Sequence, residues 1–373
     1  MRKQSGVLIG WVVALMCLST GVTLASDVDV TPDAAAFLAR VDELRRGAGI
    51  PGLSVAVLKD QTVVLAAGLG FADVDRRIPA TAETPYDIAS VSKPLSAVVA
   101  LRLVESGVLD LDRPIAEYSE WADFCARFSK QPSIFARNLR CEPATHTLRH
   151  MLSHTAAGVP GTAFSYNPIV YSWASRPIMS ATDTPFSTLV AEHVLEPADM
   201  RDSARKHRKL PLPEALAARL AQPYQLDDAG TVSPSPPRPP QGDGAAGGVV
   251  STVLDLAKFD AAFDRGVLVS AESRDAMMNG TRFGEGRAFP YGVGWWVQDY
   301  RGEALAWHGG WWEDAWSALY LKVPKHNVTL ILLANSEGIW WGNPLDDAAV
   351  EGSPFAMAFL SAFVPGMADA NED

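Results

Sequence analysis

Residues 84–107 read TPYDIASVSKPLSAVVALRLVESG, and this stretch decides how the rest of the chain is read. Beyond Val91, the residues Leu95, Val98, Val99, Leu101, Leu103 and Val104 leave only a narrow polar strip. The pattern predicts a buried helix over 93–106, with Ser90 at its start. Pro94 is tolerable only in a first helical turn, which puts Lys93 in that turn and on the same face as Ser90. A lysine is unexpected there: the positive end of the helix dipole disfavours a cation, and burial favours the neutral amine. A seryl hydroxyl is a weak nucleophile until a neighbouring base takes its proton, and Lys93 stands where that base is needed.

Strings of the form S-x-x-K also arise by chance, and this chain holds a second, Ser203-Ala204-Arg205-Lys206. It sits among Arg201, Asp202, His207, Arg208 and Lys209 with no apolar helix after it, so it reads as a solvated basic turn. No G-x-S-x-G, H-E-x-x-H or P-loop string competes with Ser90.

Working outward, 33–48 has helical apolar spacing, and 52–69 alternates as two strands around the turn Lys59-Asp60-Gln61. Near the other end, 303–307, 316–323 and 328–334 read as strands, the last two joined by Pro324-Lys325-His326-Asn327, and 354–363 as a closing helix. Between these ends the helical patterns 93–106, 148–153 and 188–194 are separated by Pro, Gly and Asn clusters, and the Pro-rich 233–241 reads as an extended crossing. The expected fold class is α/β (α+β): an antiparallel sheet flanked by helices, built from 26–86 and 246–365. A mainly helical subdomain over 87–245 is inserted, and the site is expected at the junction. Residues 366–373 are expected to form a flexible acidic tail.

Arg2 and Lys3, the apolar run 7–18 and the small residues around Thr23-Leu24-Ala25 predict a signal peptide over 1–25. The run is shorter than the roughly 20 residues a spanning helix needs, so the expectation is an exported protein, periplasmic or secreted, with no integral membrane anchor after cleavage. Cys17 follows Met16 rather than a small residue, and reads as part of the signal's apolar core rather than a lipid anchor. The net charge of −11 argues against nucleic acid and other polyanions as partners. In an oxidising compartment Cys125 and Cys141 are expected to pair as a disulfide. His150 and His154 lie four apart, but no third ligand accompanies them, so no metal site is expected.

The text TPYDIASVSK resembles the nucleophile motif of the serine β-lactamase superfamily, particularly class C enzymes, DD-peptidases and related esterases. GIPGLSVAVL, LRHMLSHTAAGVPG, AAGGVVSTVLDLAKF, YGVGWW and Trp307-His308-Gly309-Gly310 are similar to that family's text and follow its order. The resemblance implies a β-lactamase/transpeptidase-like fold, with Ser90 as nucleophile and Lys93 as its base. It places Tyr166, from FSYNPIVYSW, at the tyrosine of the family's Tyr-x-Asn motif, acting with the lysine. Pro168 stands at the motif's third position and Asn167 one place early, as a candidate substrate ligand. His308-Gly309-Gly310 stands where β-lactamases usually have Lys-Thr-Gly, which implies substrate contact. The backbone amides of Ser90 and Trp311 are the implied oxyanion hole. The segment 149–157 is similar to a family segment with a structural role.

A histidine is only partly charged near neutrality, so His308 is a poorer clamp for a carboxylate than lysine. Strand alternation sends some of Trp295, Trp296, Trp307, Trp311, Trp312 and Trp316 into the core and some towards a cleft, where Trp311 and Trp312 would line a wall for an apolar acyl group. The implied function is a serine hydrolase acting through an acyl-enzyme on small ester or amide substrates or cell-wall peptides, without metal or organic cofactor. Esterase-like activity ranks first, a D-amino-acid peptidase second and a β-lactamase third. Pro168 keeps open a penicillin- or peptidoglycan-binding protein with little turnover. The oligomeric state is not legible.

Overall fold

The computed structural model describes residues 22–24 and 32–367, apart from Pro143, Asp228, Ala229 and Arg287. The expected signal peptide, except for its Val22–Leu24 stretch, Cys17 and the acidic tail beyond Met367 lie outside the described residues. Helix α1 (Pro32–Gly47) buries Ala34, Phe37, Leu38 and Val41, the spacing of one helical face. The hairpin that follows joins Gly52–Lys59 to Thr62–Asp73 through Asp60 and Gln61, whose φ angles of 50° and 62° suit a two-residue turn between twisted strands.

With Val22–Leu24 as β1, Gly52–Lys59 as β2 and Thr62–Asp73 as β3, the sheet continues with Trp296–Tyr300 (β4), Glu303–Trp312 (β5), Trp316–Val323 (β6) and Val328–Ala334 (β7). The order is β1-β3-β2-β7-β6-β5-β4, antiparallel throughout, with Ile78–Pro79 added beside β3. The two ends of the chain meet where Leu53 pairs with Ala334 and Lys59 with Val328. The strand β4 was not expected; its WVQDY text carries no clear alternation.

Both faces of the sheet are covered, so central strands read as almost continuous apolar runs. Leu330 and Leu332 of β7 pack with α1 and the closing helix α6 (Pro354–Phe363), where Phe37 meets Phe359 and Phe363 edge-on. On the other face Ile331 and Leu333 join a core with helix α2 (Ser92–Glu105) and helix α5 (Val253–Asp264). Helices α3 (Leu148–Leu152) and α4 (Pro168–Trp173) belong to the inserted region, where Phe186–Val190 passes into the π-helical turn Ala191–Leu195.

Short strands lie within that region and at its borders. Tyr86–Asp87, Val249–Ser251 and Ala204–Arg205 form a small antiparallel sheet, and Tyr224–Leu226 pairs with Val232–Pro234 where the Pro-rich crossing begins. The reading of 203–206 as a solvated basic turn is corrected here, because Arg205 is buried. Cys125 and Cys141 are bonded, their Cα atoms 5.7 Å apart. Among the described residues no helix is long and apolar enough to cross a membrane.

Candidate active site

Ser90 sits in a tight turn, Ala89–Val91, that runs straight into α2. Ala89 has a φ of 46°, a left-handed conformation that non-glycine residues rarely adopt, and its N–H donates to Asp87 Oδ1 at 2.9 Å. The same carboxylate accepts from Trp312 Nε1 at 3.2 Å and pairs with Lys206 at 3.0 Å. Three separate parts of the chain therefore hold the turn that presents Ser90.

Lys93 has no solvent exposure. Its Nζ lies 2.7 Å from Ser90 Oγ, 2.6 Å from the Tyr166 hydroxyl and 3.5 Å from the carbonyl oxygen of Ala246. None of these partners is a carboxylate, and burial pushes the Lys93 pKa well below its usual value. An ammonium desolvated without a counter-ion is costly, so the neutral amine with its lone pair is the favoured form. Tyr171 donates its hydroxyl to the carbonyl of Lys93 at 3.0 Å and anchors the first turn of α2.

Tyr166 is placed by its neighbours on both sides. Its N–H donates to Leu345 O at 2.9 Å, and its ring stacks on Trp296 with centroids 5.5 Å apart and an angle of 13°. Burial raises the pKa of its hydroxyl, an effect that the hydrogen bond with Ser90 opposes, so the phenol stays protonated.

Asn167 is not free to bind substrate, which corrects its expected role. Its Oδ1 caps α4 by accepting from Ile169 N at 3.2 Å and Val170 N at 3.0 Å, and its Nδ2 donates to Phe135 O at 2.6 Å. Capping a helix that starts with Pro168 is what Asn-Pro does locally.

The expectation for His308 changes too. Its ring is fully buried, and its Nδ1 lies 2.8 Å from Gly309 O, which can only accept, so the proton is on Nδ1. Nε2 is then the acceptor for the Tyr291 hydroxyl at 2.9 Å. Burial and the nearby Lys93 push the pKa well below the usual imidazole range. His308 is a neutral residue inside the wall, with no donor left for a substrate carboxylate.

The glycines beside it admit protein rather than ligand. A Cβ on Gly310 would lie 2.4 Å from Ile88 O, and one on Gly309 would lie 3.1 Å from the Trp340 ring. The bare backbone at Gly310 lets the Ser90 turn press against β5.

His154 and His150 serve different ends of one short segment. His154 Nδ1 accepts from Asn167 N at 3.0 Å, and its ring lies 4.2 Å from that of Tyr166 and 4.7 Å from that of Tyr291. His150 makes a capping box with Thr147, stacks on Phe283 at 4.8 Å, and is pushed down to about 4, first by burial and then by His146.

Trp295, Trp296, Trp307 and Trp316 are core residues. Trp311, 40% exposed, stacks on Trp340 at 6.0 Å and donates Nε1 to Glu337 at 3.0 Å, whereas Trp312 is half-buried. From Trp340 an aromatic series continues through Trp341, Trp307 and Trp296 to Tyr166.

Sequence reasoning missed two supports. Tyr291 opens the YGVGWW text and could have been noticed there. Arg205 carried no local signal: its Nε donates to Asp243 Oδ1 at 2.8 Å, its Nη1 to Gly247 O at 2.5 Å and its Nη2 to Gly244 O. It clamps the 244–247 loop, in which Ala245 O accepts from Ser96 Oγ at 2.6 Å and Ala246 O faces Lys93.

Known proteins are similar to this chain in sequence or in fold. "Protein flp" of Staphylococcus aureus (strain MW2) is 24% identical over 317 residues, covering 79% of this chain, which spans 61% of that relative's length. The octameric penicillin-binding protein homologue from Pyrococcus abyssi superposes with a TM-score of 0.70 at 24% identity, over 88% of this chain and 77% of that one. The D-amino acid amidase from Ochrobactrum anthropi SV3, complexed with D-phenylalanine, gives 0.66 at 21% identity, over 89% and 99%. The Beta-lactamase family model matches residues 37–350, most of the chain, and this protein belongs to the β-lactamase family of serine hydrolases.

Proposed function

We propose that this protein hydrolyses small esters or amides through an acyl-enzyme on Ser90, with esterase-like substrates preferred. The observation that carries the reading is Lys93, buried without a counter-ion between Ser90 Oγ and the Tyr166 hydroxyl. The neutral amine takes the Ser90 proton as Oγ bonds to the substrate carbonyl carbon. The developing oxyanion is met by the amides of Ser90 and Trp311. As the scissile bond breaks, Tyr166 donates its proton to the leaving group and recovers one from Lys93. Water then bonds to the acyl carbon and gives a proton to the same pair, which returns it to Ser90 Oγ as the acyl–Oγ bond breaks and the acid leaves.

Substrate class follows from the wall. DD-peptidase substrates and penicillins carry a carboxylate near the scissile bond, and the buried neutral His308 offers it no cation. Esters and amides without that group suit the site better, and Trp311 stacked on Trp340 provides an apolar surface for them. The 1–25 segment and the bonded cysteines support export to the periplasm or medium, to be checked by the mass of the mature chain.

The test is a short-chain p-nitrophenyl ester. Steady release of p-nitrophenol by the wild type, with Ser90→Ala losing about 1,000-fold or more, is expected. A single stoichiometric burst would instead mark a penicillin- or peptidoglycan-binding protein, which Pro168 in place of the family's asparagine would favour. Unchanged turnover in Ser90→Ala would move the nucleophile elsewhere.

A further inference from the structure

We propose that Arg238 forms an anion subsite on the acyl side of the cleft, so that the preferred acyl groups carry a carboxylate several bonds away from the scissile carbonyl. The inference rests on the acyl-enzyme reading above and adds the substrate's charge to it.

Arg238 lies between Pro237 and Pro239, in a segment that also holds Pro234, Pro236 and Pro240. Prolines restrict both their own φ and the residue before them, so this is a stiff extended strap. It is tied down by Ser235, whose N–H donates to Pro223 O at 2.9 Å and whose hydroxyl donates to Asp314 O, and by Gln241 O, which accepts from Arg208 N at 2.8 Å. The strap holds the Arg238 guanidinium 5.6 Å from the centre of the Trp312 ring.

Among the described residues no carboxylate forms an ion pair with this exposed arginine, although the chain carries a net charge of −11. Asp87, which holds the Ser90 turn, is taken by Lys206 at 3.0 Å, and the half-buried Asp243 by Arg205 at 2.8 Å. Glu313 and Asp314, next to Trp312 in the chain, do not pair with it either. A cation held over an aromatic face loses little freedom when it binds a carboxylate.

Trp312 connects this cation to the nucleophile. Its Nε1 donates to Asp87, which holds Ala89, and a Cβ on Gly247 would lie 3.7 Å from both Ala89 O and the Trp312 ring. Tyr166 has different neighbours, namely Trp296, His154 and the backbone of Leu345. The leaving group must depart beside its proton donor, Tyr166. The acyl chain therefore extends the other way, towards Trp312 and the strap.

The experiment compares mono-p-nitrophenyl adipate with p-nitrophenyl hexanoate, which have the same acyl length and leaving group and differ in the terminal carboxylate. Wild type should prefer the adipate ester by about tenfold in kcat/KM, and added salt should erode that preference. Arg238→Gln should lose about tenfold on adipate and leave hexanoate unchanged, and Arg238→Glu should prefer hexanoate. Equal adipate-to-hexanoate ratios in wild type and Arg238→Gln overturn the subsite while leaving the hydrolase reading intact. If neither ester acylates Ser90, the hydrolase reading fails, and the subsite with it.

Discussion

Lys93, His150, His154 and His308 are bases whose pKa values burial moves downward, so each holds fewer protons in the folded chain than in the unfolded one. For His150 the window is set by its own environment: an unfolded histidine titrates near 6.5 and the folded one at about 4. Between those values the unfolded chain binds more protons, and stability must fall as pH falls. The unfolding midpoint should therefore drop from pH 7 to pH 4.5, and His150→Gln, which does not titrate, should drop less steeply. A fully realised shift corresponds to at most about 3 kcal/mol. Parallel melting profiles for the two proteins, read by near-ultraviolet circular dichroism, would refute this assignment. The same physics serves chemistry at Lys93, where destabilising the ammonium leaves a base beside Ser90.

Among the elements, α4 shows how a local signal and a functional one become entangled. Asn167-Pro168 is a helix start, and the capping geometry turns Tyr166 towards Lys93. Asn167→Ala should cost about 1 kcal/mol of stability and lower kcat with little change in KM, and Asn167→Ser should restore most of both. A raised KM that serine fails to rescue would return Asn167 to the role of substrate ligand. The hairpin, the closing strands and the long helices were legible because their periods persist over many residues. The strands Tyr86–Asp87, Val249–Ser251 and Ala204–Arg205 were not, because two or three residues carry no period. Arg205 was misread for the same reason: its burial depends on Asp243, which lies 38 positions away.

For the whole molecule, the Cys125–Cys141 bond closes a 16-residue separation within the inserted region, tying helix Trp121–Phe128 to the chain before α3. Removing it through the paired Cys125→Ser, Cys141→Ser variant should destabilise the protein by about 3 kcal/mol, seen as a lower midpoint in guanidinium. An unchanged midpoint would show that the loop is held by its aromatic packing alone, in which Trp121 and Phe124 meet Trp173. The order of the long elements and the contribution of both chain ends to one sheet were determined by the sequence alone, because apolar periodicity is a local property. Only the tertiary structure decided that His308 is neutral and enclosed, that Asn167 is a cap, that Gly310 admits the Ser90 turn and that Arg205 clamps the loop facing Lys93. Protonation, orientation and close approach are set by groups that the chain brings together from distant positions, and no stretch of sequence contains both partners.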